Sequence, residues 1–266
     1  MTDKSKRPTI DVRTYMNEVN IKMTKSIPNM FTLGNLFLGM IGIILATEGR
    51  TSMAAIMIII AMLLDGLDGR VARALNAQSE FGKELDSLSD VISFGVAPAL
   101  IMYTVAFTDI NTALAWTVTA IFPMCGALRL ARFNVRPGIP GYFIGLPIPA
   151  AGGVLATLAL FHEEITAPYM IFAVLLLSYL MVSSVKYPNF KKIGIPKTAI
   201  KFTPLVIIGA VMVAVFFPEQ TSMLIFVPLV LYAGYGLKQN FRRLNRKNRR
   251  KKDDRNSDEA YQSSDR

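Results

Sequence analysis

Four aspartates, Asp65, Asp68, Asp86 and Asp90, fall within "LLDGLDGRVARALNAQSEFGKELDSLSDVISFG", a stretch with strongly apolar flanks. The first two are three residues apart and the last two are four apart. Either spacing puts both side chains on one face of a helix. The segment between the pairs, roughly 74–83, is short enough for an antiparallel helical hairpin, so the pairs can face each other across one small site. Four carboxylates in apolar surroundings repel one another and are costly to desolvate. Arg70 and Arg73 are too few to neutralise them all. All-oxygen ligands suit hard divalent cations such as Mg2+ or Mn2+. Two such ions, about 4 Å apart, would balance the charge and form a site of the kind used in phosphoryl chemistry. The plain alternative is a set of solvated helix caps. The helix dipole favours Asp near an N-terminus, which accounts for Asp86 but not for two paired spacings.

Small residues accompany the carboxylates. Gly69 follows Asp68, and a missing side chain there lets a ligand approach the helix backbone. Gly66, Ala72 and Gly82 fit the same pattern, although small residues also serve close helix packing in membranes. Arg73 lies one turn after Gly69, where its planar fork can reach a phosphate.

The elements that must position these residues are membrane helices. The 266-residue chain is 52% hydrophobic, yet it carries a net charge of +10. Its apolar runs approach the ~20 residues that a helix needs to cross a bilayer. The short alternating strands of a membrane barrel are absent from the pattern. The expected fold is all-α, a polytopic bundle of about eight spans at roughly 29–47, 52–74, 86–107, 112–132, 144–161, 167–185, 202–217 and 222–237. With these spans, 28 of the 29 Lys and Arg residues fall on one side, and only Arg50 on the other. The opposite loops carry Glu48, Asp109, Glu163, Glu164 and Glu219. The positive-inside rule then puts both termini in the cytoplasm, and all four aspartates toward that face. The expected location is the cell membrane, with the site facing the cytoplasm. No cleavable signal peptide is expected, because the first apolar run follows a long polar leader and exceeds an h-region.

Three divisions follow: a leader (1–26), a transmembrane domain (27–237) and a basic disordered tail (238–266). Val12, Tyr15, Met16, Val19 and Met23 share one face in the leader, which suits a short interfacial helix, with a disordered arm as the alternative. The tail directly follows a span, so anionic lipid is a better partner for it than nucleic acid, and a plain topological anchor is an equal alternative. Cys125 and His162 are each alone of their type, which excludes an intramolecular disulfide and a thiol–metal cluster. His162, on the outer side, is not expected in catalysis.

The order Asp65-x-x-Asp68-Gly69-x-x-Ala72-Arg73, eight residues, Gly82-x-x-x-Asp86-x-x-x-Asp90 resembles the full signature of the CDP-alcohol phosphatidyltransferase family. The resemblance implies that the four aspartates hold two divalent cations, Mg2+ or Mn2+, which grip the diphosphate of a CDP-linked lipid. It implies Asp90 as the general base that takes the proton of the incoming alcohol, with CMP leaving. It further implies contacts to the CDP-lipid from Asn29 and Thr32 in "PNMFT", and from Gly69, Arg73, Ser79 and Gly82. For Ser79 a helix or turn cap is the alternative. The family is commonly dimeric, so a homodimer is implied as well.

The signature does not choose the acceptor. "SIPNMFTLGNLFLG", "LDSLSDVISFGVAPAL", "RLARFNV" and "FIGLPIPAAGG" together resemble the membrane-integral phosphatidylserine synthases of that family. That resemblance implies transfer of the phosphatidyl group of CDP-diacylglycerol to L-serine. A zwitterion needs partners for its carboxylate and its ammonium. Arg129, Arg132, Asn134 and Asn35 are the candidates, with snorkelling at a span end as the alternative for the arginines. Glycerol phosphate or inositol phosphate is the second acceptor reading. A cation transporter is the remote one, disfavoured because transport sites lie near the midplane and these carboxylates do not.

Overall fold

A computed structural model describes residues 12–135 and 142–188, together with positions 230, 231, 233, 234 and 238; for residues 12–25 it gives the helical backbone alone. Helix α1 runs Val12–Thr47, so the leader positions expected as an interfacial helix and the first span form one continuous element. Helix α2 covers Thr51–Ala74. The third span, Glu80–Phe107, begins as α3 (Glu80–Asp90) and passes through a π-helical segment (Val91–Val96). It continues as α4 (Ala97–Met102) and ends in a second π segment (Tyr103–Phe107). Then come α5 (Thr112–Val135), α6 (Ile148–Leu158, extended to Phe161 by a 3-10 turn) and α7 (Ala167–Val182).

Among the described residues, four helices are long and apolar enough to cross a membrane, and Ile148–Phe161 and Ala167–Val182 are shorter apolar helices. These six match the first six expected spans to within a few residues at most ends. The protein is a multi-pass helical membrane protein. The seventh expected span lies outside the described residues. So does the eighth, apart from its helical positions 230, 231, 233 and 234, and the tail beyond 238.

The helices bury one stripe and expose another, and the exposed stripe is apolar. Leu33, Phe37, Met40 and Ile44 recur every three or four residues on α1, and all are exposed. Trp116, Met124 and Leu128 are likewise exposed along one face of α5. Hydrocarbon is the solvent that this surface suits. The core is built from Phe94, Ile101, Met102, Phe122, Ile148, Leu155 and Met181. Small residues let backbones meet inside it: Gly152 of α6 lies directly against the backbone of Phe94, and a Cβ on Gly95 would stand 3.3 Å from Pro123 Cα.

One element was not foreseen in a helical reading. Two short strands, β1 (Tyr142–Ile144) and β2 (Lys186–Pro188), pair antiparallel with Phe143 opposite Tyr187. They tie the loop before α6 to the chain leaving α7. Gly145 follows β1 at φ 78°, a conformation that glycine adopts at little cost, and its N–H donates to Val185 O at 2.8 Å.

Candidate active site

Asp65 and Asp68 sit in the second half of α2, and Asp86 and Asp90 on α3. One ligand oxygen from each of Asp65, Asp68 and Asp86 falls within 4.8 Å of the others. The Asp90 side chain lies against Asp65, which brings the fourth carboxylate to the same place. Asp90 is 6% exposed, and its Oδ1 is buried without a hydrogen-bond partner. A buried carboxylate oxygen with nothing to accept from is costly. Anionic oxygens converging at this range fit a hard divalent cation, and the orphaned oxygen is a further ligand atom suited to one.

The carboxylates are held from α1. Thr32 donates its hydroxyl to Asp68 Oδ2 at 2.9 Å. Ser89 and Ser93 donate to the backbone carbonyls of Thr32 and Asn35, each at 3.0 Å. From the other side, Asn134 of α5 donates Nδ2 to Ser87 Oγ at 2.9 Å. The helix carrying Asp86 and Asp90 is therefore bonded on two flanks. Asp68 also takes the Gly69 N–H, and the Arg73 guanidinium lies close enough to act on its charge.

Beside the carboxylates opens a cavity of about 480 Å³. Asn29, Thr32, Gly69, Arg73, Ser79 and Gly82 all line it, together with Ala72, Asp68 and Asp86. A Cβ on Gly82 would stand 2.9 Å from Asn29 Oδ1, so glycine keeps that wall open. Ser79 is the N-cap of α3, where its Oγ accepts from Gly82 N at 3.0 Å. The cap alternative thus describes its local bonding, and its side chain still faces the cavity. Gly66 is exposed, with nothing within 4 Å of a Cβ built there. Sequence reasoning missed Gln78, Glu80 and Lys83 on the cavity wall. Lys83 and Glu80 are 4.0 Å apart at the rim, an exposed pair of little energetic weight. It also missed Ser89 and Ser93, whose signal was two hydroxyls four residues apart entering an apolar run.

The acceptor candidates divide. Asn35 is fully buried on α1, and neither side-chain amide atom has a hydrogen-bond partner. Arg129 is buried on α5, with its guanidinium carbon 6.0 Å from the centre of the Phe133 ring. Helix α5 runs antiparallel to the third span, with Asn134 beside Ser87 and Pro123 beside Gly95. That register sets Arg129 at the depth of Asp90. Asn35 stands one turn deeper, at Ser93. Arg132 instead donates Nη2 to Val182 O at 2.6 Å and to Met181 O at 3.4 Å, closing the C-terminal end of α7. Asn134 is engaged with Ser87. Cys125 is a free, half-buried thiol in α5, and His162 Nδ1 lies 3.0 Å from Ala159 O on the far side of the bundle.

Comparison with known proteins agrees with this geometry. Residues 25–185 match the sequence model described as CDP-alcohol phosphatidyltransferase. A CDP-diacylglycerol–serine O-phosphatidyltransferase of Helicobacter pylori is 41% identical over 215 residues, covering 78% of this chain and 88% of the relative. The enzyme of the same name from Bacillus subtilis is 40% identical over 171 residues, covering 62% of this chain and 92% of the relative. An archaetidylserine synthase of Methanothermobacter thermautotrophicus is 40% identical over 185 residues, covering 67% and 76%.

Proposed function

The chain belongs to the CDP-alcohol phosphatidyltransferase family, and from that premise we propose that it makes phosphatidylserine and CMP from CDP-diacylglycerol and L-serine. The observation that carries the reading is the convergence of Asp65, Asp68 and Asp86 within 4.8 Å, beside a cavity of about 480 Å³ that Asp68 and Asp86 line. The relatives named for serine transfer support the choice of acceptor.

The cavity takes the CDP moiety. Asn29, Ser79 and the backbone at Gly69 and Gly82 offer polar contacts to it, and Arg73 reaches its phosphate oxygens. Asp65, Asp68, Asp86 and Asp90 would hold two divalent cations, Mg2+ or Mn2+. When bound there, such ions supply neutralisation of the charge on the diphosphate and on the leaving group. Asp90 takes the proton from the serine hydroxyl. The serine oxygen then forms its bond to the lipid-side phosphorus, and the bond from that phosphorus to the bridging oxygen breaks. CMP departs with the bridging oxygen. Arg129, at the depth of Asp90, pairs with the serine carboxylate, and Asn35 contacts the amino acid from the α1 side. Arg132 and Asn134 support the acceptor site through their bonds to α7 and α3.

The same proposal has the site facing the cytoplasm of the cell membrane, as the Lys and Arg asymmetry supports, and includes the homodimer and the division into leader (1–26), catalytic membrane domain (27–237) and basic tail (238–266).

The deciding experiment supplies the purified protein and Mg2+ or Mn2+ with CDP-diacylglycerol and, in parallel, L-serine, glycerol phosphate and inositol phosphate. CMP release with a serine-containing lipid is the expected result. Product from a phosphorylated acceptor alone would overturn serine. Cation uptake without CMP release would overturn transfer altogether.

A further inference from the structure

Helices α2 and α3 each bring carboxylates of like charge to one point, and something must hold them there. Helix α1 packs on both. One of its residues, Thr32, is 3% exposed and bonds in both directions. Its hydroxyl donates to Asp68 Oδ2 at 2.9 Å, and its backbone carbonyl accepts from Ser89, the neighbour of Asp90, at 3.0 Å. The hydroxyl also lies 3.2 Å from Pro28 O. A threonine has one proton to give, and the nearer, charged acceptor holds it more strongly.

We propose that Thr32 is a positioning residue for the metal ligands, and that it couples the Asp65–Asp68 pair to the Asp86–Asp90 pair through α1. The inference rests on the two-metal reading above and revises the role of Thr32 within it. A hydroxyl committed to Asp68 is not available to donate to a nucleotide phosphate. What it does is fix the rotamer of Asp68, leaving the carboxylate's remaining lone pairs aimed at the site. Residues that orient metal ligands in this way typically change affinity 10–100-fold when removed. Ser93, bonded to Asn35 O one turn further on, is the second rung of the same clamp.

The test measures Mn2+ binding to the full-length protein in detergent by electron paramagnetic resonance, with no lipid substrate present. Thr32→Val keeps the branched shape and deletes the hydroxyl. It should weaken Mn2+ binding about 10-fold or more, and Thr32→Ser should restore it to within a few-fold of wild type. Ser89→Ala should weaken binding as well, by a smaller factor, because it releases α3 from the Thr32 carbonyl. If Thr32→Val binds Mn2+ as wild type does while its KM for CDP-diacylglycerol rises, Thr32 is a nucleotide contact and the proposal falls. If wild type shows no Mn2+ binding that Asp68→Ala abolishes, the metal reading falls, and this inference with it.

Discussion

Ser93 donates its hydroxyl to Asn35 O at 3.0 Å, and a Cβ on Gly39, one turn further along α1, would stand 2.7 Å from Ser93 Cα. The two helices touch backbone to backbone there, and the hydrogen bond depends on that approach. Alanine is the better helix former, worth about 1 kcal/mol over glycine in an open helix. Here the steric cost dominates. Gly39→Ala should lower stability by about 1–3 kcal/mol despite its propensity. Thermal unfolding in detergent checks this, and an unchanged or raised Tm would show that α1 can move away freely.

Gly82 keeps the cavity wall open beside Asn29. Gly82→Ala places a methyl group 2.9 Å from Asn29 Oδ1 and 3.1 Å from Ser79 Oγ. Both neighbours are polar groups offered to the nucleotide, so displacing them should raise the KM for CDP-diacylglycerol several-fold. The KM for serine should change little. Initial-rate kinetics with each substrate varied in turn separates the two.

Asn35 is a buried amide whose side-chain atoms have no hydrogen-bond partner. Such a group costs about 1–3 kcal/mol. Asn35→Leu should therefore raise the Tm of the protein without substrates while lowering its activity with serine. Stabilisation together with loss of function is the expected signature of a group kept for a ligand. A variant that loses both would show that the amide serves the fold.

Arg132 closes the end of α7 with its bonds to Val182 O and Met181 O. Arg132→Gln should cost about 1.5–3 kcal/mol of stability, as expected for a charge-assisted hydrogen bond, and leave the serine KM within about twofold. Arg129→Gln should raise the serine KM 10-fold or more, the scale of one lost ion pair in a partly desolvated site. The reverse ranking would exchange their roles.

The two kinds of information were unequally legible in the sequence. Asp65, Asp68, Asp86 and Asp90 declare themselves because charge in an apolar run is costly and helical periodicity fixes the face. The first six spans were readable for the same reason: length and hydropathy are local properties. The hydroxyl clamp of Thr32, Ser89 and Ser93 was not, because it depends on which backbone carbonyls of α1 lie opposite α3, and no periodicity encodes that. The arginines show the same limit. Arg129 and Arg132 look alike at one span end, yet the first is buried among helices and the second reaches the carbonyls of α7. The β1–β2 pair escaped notice because strands of three residues leave no pattern.

Asp90 and Asp68 both belong to the carboxylate cluster, but their surroundings differ. Asp68 is bonded to Thr32, whereas Asp90 keeps a buried oxygen without a partner. That difference predicts a difference between their amide variants. Asp90→Asn keeps the size and removes the basicity, so kcat should fall about 100-fold or more, the usual contribution of a general base. The KM for CDP-diacylglycerol should stay within a few-fold, because the nucleotide cavity is untouched. Mn2+ binding without substrate should weaken only modestly, since Asp65, Asp68 and Asp86 converge without it. Asp68→Asn should instead lose Mn2+ binding and activity together. If the two variants lose Mn2+ equally, Asp90 acts first as a ligand, and the proton must be taken by another group.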